Sequence, residues 1–225
     1  MELIKNGKTK DVYKLEDGNI VLKFKDTITG LESGESDPGG NRVVGAEDGI
    51  GTAALNMSCY FFELLNKSNI LTHYISADLS KKEMLVKPAK FFGNGLEFVV
   101  RYKAAGSFIR RFGSYIKEGD ILPKIFEVTL KDDEREDPPL TKEILVALNI
   151  LTPEQYDNIY DLTMNVCNII KDEIDSRNLD LIDIKVEFGL INGNIALIDE
   201  VSPGNMRVLR NAKKLDYITL SKLFL

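Results

Sequence analysis

Three charged side chains alternate with apolar ones in Leu181-Ile182-Asp183-Ile184-Lys185-Val186-Glu187-Phe188-Gly189, and a second apolar run, Ile195-Ala196-Leu197-Ile198, leads into Asp199-Glu200. Successive side chains of a strand take opposite faces, so Asp183, Lys185 and Glu187 share one face and Ile182, Ile184, Val186 and Phe188 the other. Two acids around a lysine suit a cation or phosphate site, and they equally suit a solvated strand face. Leu190-Ile191-Asn192-Gly193-Asn194 carries hairpin turn chemistry that folds the second run back beside the first. A three-residue loop, Asn192-Gly193-Asn194, sets Glu187 opposite Asp199; a two-residue Asn192-Gly193 turn sets Ile198 there and sends Asp199 to the other face. Carboxylates facing across a ladder repel and require a cation between them, and hard oxygen donors suit magnesium, which completes its shell with water and substrate phosphates.

Other residues could handle phosphate. Gly7-Lys8-Thr9-Lys10 places two ammonium groups on one side of a strand, a pattern that neutralises polyphosphate and that also protects an edge strand from aggregation. Arg101, then Gly106-Ser107 opening a helix before Arg110-Arg111, reads as a phosphate pocket or as an ordinary helix start with surface arginines. A single histidine, His73, excludes a multi-histidine metal centre and reads as structural. Cys59 and Cys167 are far apart, lack metal-type spacing, and read as buried thiols in a reducing compartment.

The elements that must position these groups follow from local patterning. With 225 residues the chain can bury a substantial core, and its net charge of −6 disfavours a broad nucleic-acid or acidic-membrane surface. Without a long apolar run, signal peptide or lipidation motif, the expected location is the cytoplasm. Lys10–Leu15 and Ile20–Lys25, separated by Glu16-Asp17-Gly18-Asn19, predict an N-terminal hairpin. The Gly-, Ser- and acid-rich stretch from Gly30 to Gly51, with Pro38-Gly39-Gly40, predicts a loop poorly ordered without ligand. A helix is expected from Thr52 to about Lys67, with Leu55, Cys59, Phe62 and Leu65 as its apolar stripe, and β-like runs follow at Thr72–Ile75 and Glu83–Lys87. Pro88 to Gly95 reads as an interlobe connection where a nucleotide base could be gripped. Strands are expected over Leu96–Tyr102 and Ile125–Leu130, the latter running into a solvated charge cluster from Lys131 to Pro139. Thr152-Pro153-Glu154-Gln155 reads as a capping box with proline at the first helical position, opening a helix to about Asn178. The resulting division is 1–87, an N-terminal α+β lobe, and 88–225, a C-terminal α+β lobe.

Taken in order, Gly7 through Tyr13, Arg101 through Ser107 with Arg110 and Arg111, Lys131 with Asp137-Pro138, Leu181 through Gly189, and Asp199-Glu200-Val201-Ser202-Pro203 resemble the motifs of the phosphoribosylaminoimidazole-succinocarboxamide synthase (SAICAR synthetase) family. The resemblance covers about residue 4 to Arg207. It implies an α+β, two-lobed fold with antiparallel sheets and packed helices, related in outline to protein kinases and ATP-grasp enzymes, with nucleotide held between the lobes. The implied activity is a purine-biosynthetic ligase that joins carboxyaminoimidazole ribonucleotide to L-aspartate through an acyl phosphate, converting ATP to ADP and phosphate. By resemblance, the N-terminal lobe binds nucleotide and the C-terminal lobe carries the metal and substrate sites. Lys8, Lys10 and Lys131 contact the nucleotide, Val12 and the Lys87–Phe92 region surround adenine, and Glu187 and Asp199 hold magnesium as well as nucleotide. Arg101, Ser107 and Arg207 bind the ribonucleotide, while Lys185 and Asp137 are catalytic. A homodimer, small-molecule substrates and no nucleic-acid or membrane partner are implied.

The chain departs from the family on one side of this site. Gly204, followed by Asn205 and Met206, stands where an acidic residue is common. Gly51-Thr52-Ala53-Ala54 replaces an asparagine-bearing helix entry, and the sequence ends at Leu225 without the final helices of many members. These departures describe a compact, divergent form whose aspartate recognition differs, with Arg135 a candidate for that role and Asp183 left without one. The alternatives are an amide ligase for another amine or acid, and a purine-nucleotide-binding module without turnover.

Overall fold

Short β-rich runs punctuated by Gly, Asn and Asp turns build the sheets, and two long helices, at Ile50–Lys67 and Pro153–Asp175, cover them. The computed structural model describes residues 1–38 and 40–225; Gly39 of the glycine-rich stretch lies outside the described residues. Two units are formed, one from Met1–Ala89, Ile198–Asn205 and Leu215–Leu225, the other from Lys90–Leu197 and Met206–Lys214.

The first unit contains strands β1 (Glu2–Asn6), β2 (Lys10–Lys14), β3 (Ile20–Phe24), β4 (Thr27–Gly30) and β5 (Arg42–Ala46), helix α1 (Ile50–Lys67), and strands β6 (Tyr74–Asp78) and β7 (Glu83–Val86). Its main sheet has the order β1-β2-β3-β7-β6, all antiparallel, and includes the expected N-terminal hairpin. The stretch expected to be a loop from Gly30 to Gly51 instead contributes β5, which pairs with β4 as a separate ribbon. The β-branched residues Thr27-Ile28-Thr29 and Val43-Val44 at its ends are good strand formers, and they outweigh the glycine-rich middle. On α1, Leu55, Phe62 and Leu65 are fully buried, as the stripe requires, whereas Cys59 is only half-buried.

The second unit contains β8 (Lys90–Phe91), β9 (Leu96–Lys103), α2 (Ser107–Phe112), β10 (Ile121–Leu130), β11 (Pro139–Leu140), α3 (Lys142–Ala147), α4 (Pro153–Asp175), β12 (Asp180–Ile191), β13 (Asn194–Ile198), β14 (Met206–Arg210) and β15 (Lys213–Lys214). Its sheet has the order β11-β10-β9-β12-β14-β15, with β13 and β8 also pairing with β12. Helix α4 starts on the expected capping box, in which Thr152 and Gln155 satisfy each other's backbone N–H groups. Its buried residues Ile159, Thr163, Val166, Cys167, Ile170 and Ile174 pack on β9 and β12, and the Tyr102 hydroxyl donates to the Cys167 carbonyl at 3.1 Å. Phe98, Val100, Ile182, Ile184, Val186 and Phe188 are all buried on the apolar face.

Two expectations are corrected. The chain after residue 88 does not stay in the second unit: α5 (Tyr217–Ser221) packs on α1, the Ser221 hydroxyl donates to the Ala53 carbonyl at 2.8 Å, and the Phe224 ring lies 5.0 Å from that of Phe61. Apolar burial against α1 therefore draws the terminal segment back. The β12–β13 turn is the two-residue Asn192-Gly193, with φ 51° and 83°, because both residues tolerate the left-handed region that such a turn demands. An even loop does not pair Glu187 with Asp199. Asp199 itself leaves the strand with φ 65°, so strand alternation no longer governs its side chain.

Candidate active site

Within the second unit Asp183 and Glu187 on the charged face of β12 are buried and Lys185 is half-buried. Asp183 lies opposite Arg101 of β9 and opposite Arg207 of β14, so one rung across three strands reads Arg-Asp-Arg. Arg101 Nη1 and Arg207 Nη1 donate to the same oxygen, Asp183 Oδ2, at 2.9 and 2.6 Å. Arg101 also donates from Nη2 to Ser107 Oγ at 2.9 Å and from Nε to Glu127 Oε2 at 2.5 Å. Arg111 holds the other Glu127 oxygen at 2.5 Å. Asp183 is 3 % exposed and Arg101 4 %. Ionised groups so buried persist only when paired and hydrogen-bonded, and here each is.

Further along the same face, Glu187 meets a carboxylate across the ladder, but that partner is Glu97 of β9. Such a pair repels, and two lysines offset it. Lys185 Nζ donates to Glu97 Oε1 at 2.6 Å, Lys131 Nζ to Glu187 Oε1 at 2.6 Å, and the Thr129 hydroxyl to Glu97 Oε2 at 3.1 Å. Burial opposes the charge on Lys185, but the Glu97 carboxylate, with Glu187 close by, more than offsets it and raises the lysine pKa. Lys185 is therefore a fixed positive charge. Asp137 sits after this strand system with φ 48°, its Oδ1 accepting from the Asp132 N–H at 2.7 Å, which folds the charged loop over. Arg135 pairs with Asp132 at 2.7 Å and is largely exposed.

The first unit gathers a second set. Lys10 enters β2 buried, contacts Asp199 Oδ1 at 3.2 Å, and forms a closer ion pair with Glu200 Oε1. His73 Nε2 lies 3.0 Å from the Asp199 carbonyl; burial pushes its pKa down to about 4, so the neutral ring donates from Nε2 and steadies the Asp199 backbone. Lys8 is exposed and donates to the Asn41 carbonyl at 3.1 Å. Val12 is half-buried on β2 opposite Leu22, and Lys87 is exposed just beyond β7, its backbone N–H bonded to the His73 carbonyl at 2.8 Å. A small cavity is lined by Thr9, Phe24, Thr27, Glu200, Ser202 and Tyr217, among others. Gly204 also lines it, and an added Cβ there would come 3.3 Å from Ser202 Oγ and 3.5 Å from the Tyr217 ring.

Arg101, Ser107 and Arg207 are thus brought together in one unit, as are Lys131 with Glu187, while Lys10 meets Asp199 in the other. Glu97, Glu127 and Glu200 complete these pairings, and the sequence reading passed over them. A signal existed for Glu97: in Leu96-Glu97-Phe98-Val99-Val100-Arg101, alternation puts it on the same face as Arg101. Among the described residues no group of three or more histidine, cysteine or acidic side chains is arranged around a common metal position. The carboxylates fit magnesium in donor type, since that ion binds through one or two carboxylates with water and phosphate for the rest.

Antiparallel sheets with packed helices define an α+β protein, one face of whose larger sheet carries arginine–carboxylate and lysine–carboxylate networks. Comparison with known proteins gives the particular group. The SAICAR synthetase family model matches residues 3–222, and the chain belongs to that family. A phosphoribosylaminoimidazole-succinocarboxamide synthase of Clostridium tetani is 51 % identical over 227 residues, covering 100 % of both chains. The crystal structure of the corresponding synthase from Ehrlichia chaffeensis matches with a TM-score of 0.85 and 28 % identity, covering 96 % of this chain and 89 % of that one. A SAICAR synthetase (type 2) in complex with ADP matches with a TM-score of 0.83 and 30 % identity, covering 94 % of this chain and 87 % of that one.

Proposed function

We propose that this chain is the ATP-dependent ligase that joins the carboxylate of carboxyaminoimidazole ribonucleotide to the amine of L-aspartate, in the cytoplasm and as a homodimer. The observation that carries the reading is the spacing along one face of β12. Asp183 with its two arginines, then Lys185, then Glu187 recur at every second residue, about 7 and 13 Å apart from the first. A nucleotide phosphate anchored at the arginine rung extends its imidazole carboxylate toward the lysine, and phosphate and carboxylate each meet a fixed positive charge.

A carboxylate is a poor electrophile, so the γ-phosphoryl group of ATP is transferred to one of its oxygens and ADP leaves. The aspartate nitrogen, having lost a proton, attacks the carbonyl carbon, and the C–O bond to phosphate breaks. Lys185 neutralises the reacting carboxylate and the oxygens that gain charge during transfer, while Lys8, Lys10 and Lys131 bind the polyphosphate. Val12 and the Lys87–Phe92 segment enclose the adenine. Glu187 and Asp199 would each offer a carboxylate oxygen to magnesium, which would supply charge neutralisation to the phosphates of the nucleotide. Asp137 contributes beside the amine by holding its loop in place and by accepting a proton.

Purified protein given ATP, magnesium, the imidazole ribonucleotide and aspartate is expected to release ADP, and release should stop when either carbon–nitrogen bond partner is omitted. ADP release supported by a different amino acid in preference to aspartate would reassign the amine, a comparison made pertinent by Gly204. Nucleotide binding without turnover for any acid and amine would instead make the chain a binding module.

A further inference from the structure

We infer that Asp183 is a positioning residue that aims the two arginines, Arg101 and Arg207, at the phosphate of the ribonucleotide, with Gly106 providing the space into which Arg207 is held; this rests on the reading above that those arginines bind that phosphate. Asp183, Arg101 and Arg207 occupy the same rung of three adjacent strands. Both guanidiniums donate an Nη1 hydrogen to Asp183 Oδ2, which turns their remaining N–H groups away from that oxygen. Two guanidiniums brought this close repel, and a buried carboxylate shared by both removes the repulsion without neutralising them: two positive charges and one negative leave the rung at net +1. Arg101 is tied down further by Glu127 and Ser107.

Gly106 fixes Arg207 from the other side. A Cβ there would lie 2.2 Å from Arg207 Nη2, and the glycine has φ 55° and ψ −127°, a conformation that residues with a Cβ avoid. Two unrelated devices, a shared carboxylate and a missing side chain, thus converge on one guanidinium. A carboxylate in an anion site is otherwise a liability, because it repels the phosphate it borders.

That liability provides the test. Asp183→Asn keeps the side-chain size and raises the local charge by one. If charge alone governed the site, the ribonucleotide would bind more tightly; positioning predicts that its KM rises about tenfold or more while the KM for ATP stays within about twofold. Inorganic phosphate, used as a probe, should also protect Asp183→Asn from thermal unfolding less than it protects the parent protein. Gly106→Ala displaces Arg207 with no change of charge, and should give the same selective rise in ribonucleotide KM even if Asp183→Asn folds poorly. A ribonucleotide KM that is unchanged or lowered in Asp183→Asn, or unchanged in folded Gly106→Ala, overturns the inference while leaving the phosphate site standing if Arg207→Ala still raises that KM. If Arg207→Ala affects only the KM for ATP, the reading beneath it is overturned as well.

Discussion

Burial holds His73 neutral. Its folded pKa of about 4 lies below the ordinary 6.5, so the unfolded chain takes up a proton first as the pH falls. The stabilisation is complete above 6.5 and is lost as the pH drops toward 4, a total of about 3 kcal/mol. The unfolding free energy of the parent protein minus that of His73→Gln should therefore shrink across this window, and a difference that stays constant would show that the ring is not held neutral. Glu187 belongs to the same scale. Its pairing with Lys131, with Lys185 close by, makes it a buried carboxylate already bordered by cations, which is the setting in which a metal and a phosphate can exchange for lysine contacts. Titration calorimetry should find magnesium-nucleotide binding weakened about tenfold or more in Glu187→Gln with the fold retained, and an unchanged metal dependence would remove Glu187 from the ligand set. Residue types and same-face spacing made Asp183, Lys185 and Glu187 legible from one strand. Their pairings were not, because Glu97 and Arg207 arrive from other strands through long-range pairing that no local pattern encodes.

At the scale of elements, legibility followed the strength of local chemistry. Thr152-Pro153-Glu154-Gln155 states a helix start in side-chain hydrogen bonds, and α4 begins there. Thr152→Ala should lower stability by about 1 kcal/mol in urea unfolding, since one capping acceptor is lost. The Asn192-Gly193 dipeptide is a strong two-residue hairpin signal, and the structure uses it as one. The three-residue alternative that aligns Glu187 with Asp199 loses to this turn preference, and β13 ends before Asp199. Gly193→Ala, at φ 83°, is expected to cost about 1 kcal/mol, and a neutral result would show that the turn can relax to another type. The β4–β5 ribbon was hidden because its strands are short and flank a glycine-rich stretch that resembles a mobile loop by composition.

For the molecule as a whole, sequence order understates the exchange between the two units. Ile198–Asn205 and Leu215–Leu225 return to the first unit, carrying Asp199, Glu200 and Tyr217 with them, because Phe224 and Ser221 find their partners on α1. No helix among the described residues is long and apolar enough to cross a membrane, and the formal net charge of the chain is −6. The reaction proposed for this chain is one in which a carboxylate oxygen is phosphorylated and then expelled with the phosphate. The most direct test follows that atom. With the imidazole carboxylate labelled with 18O and with ATP, magnesium and aspartate present, each turnover should place one labelled oxygen in the inorganic phosphate released and leave the other in the amide product. Phosphate released without label would contradict carboxylate activation by this chain.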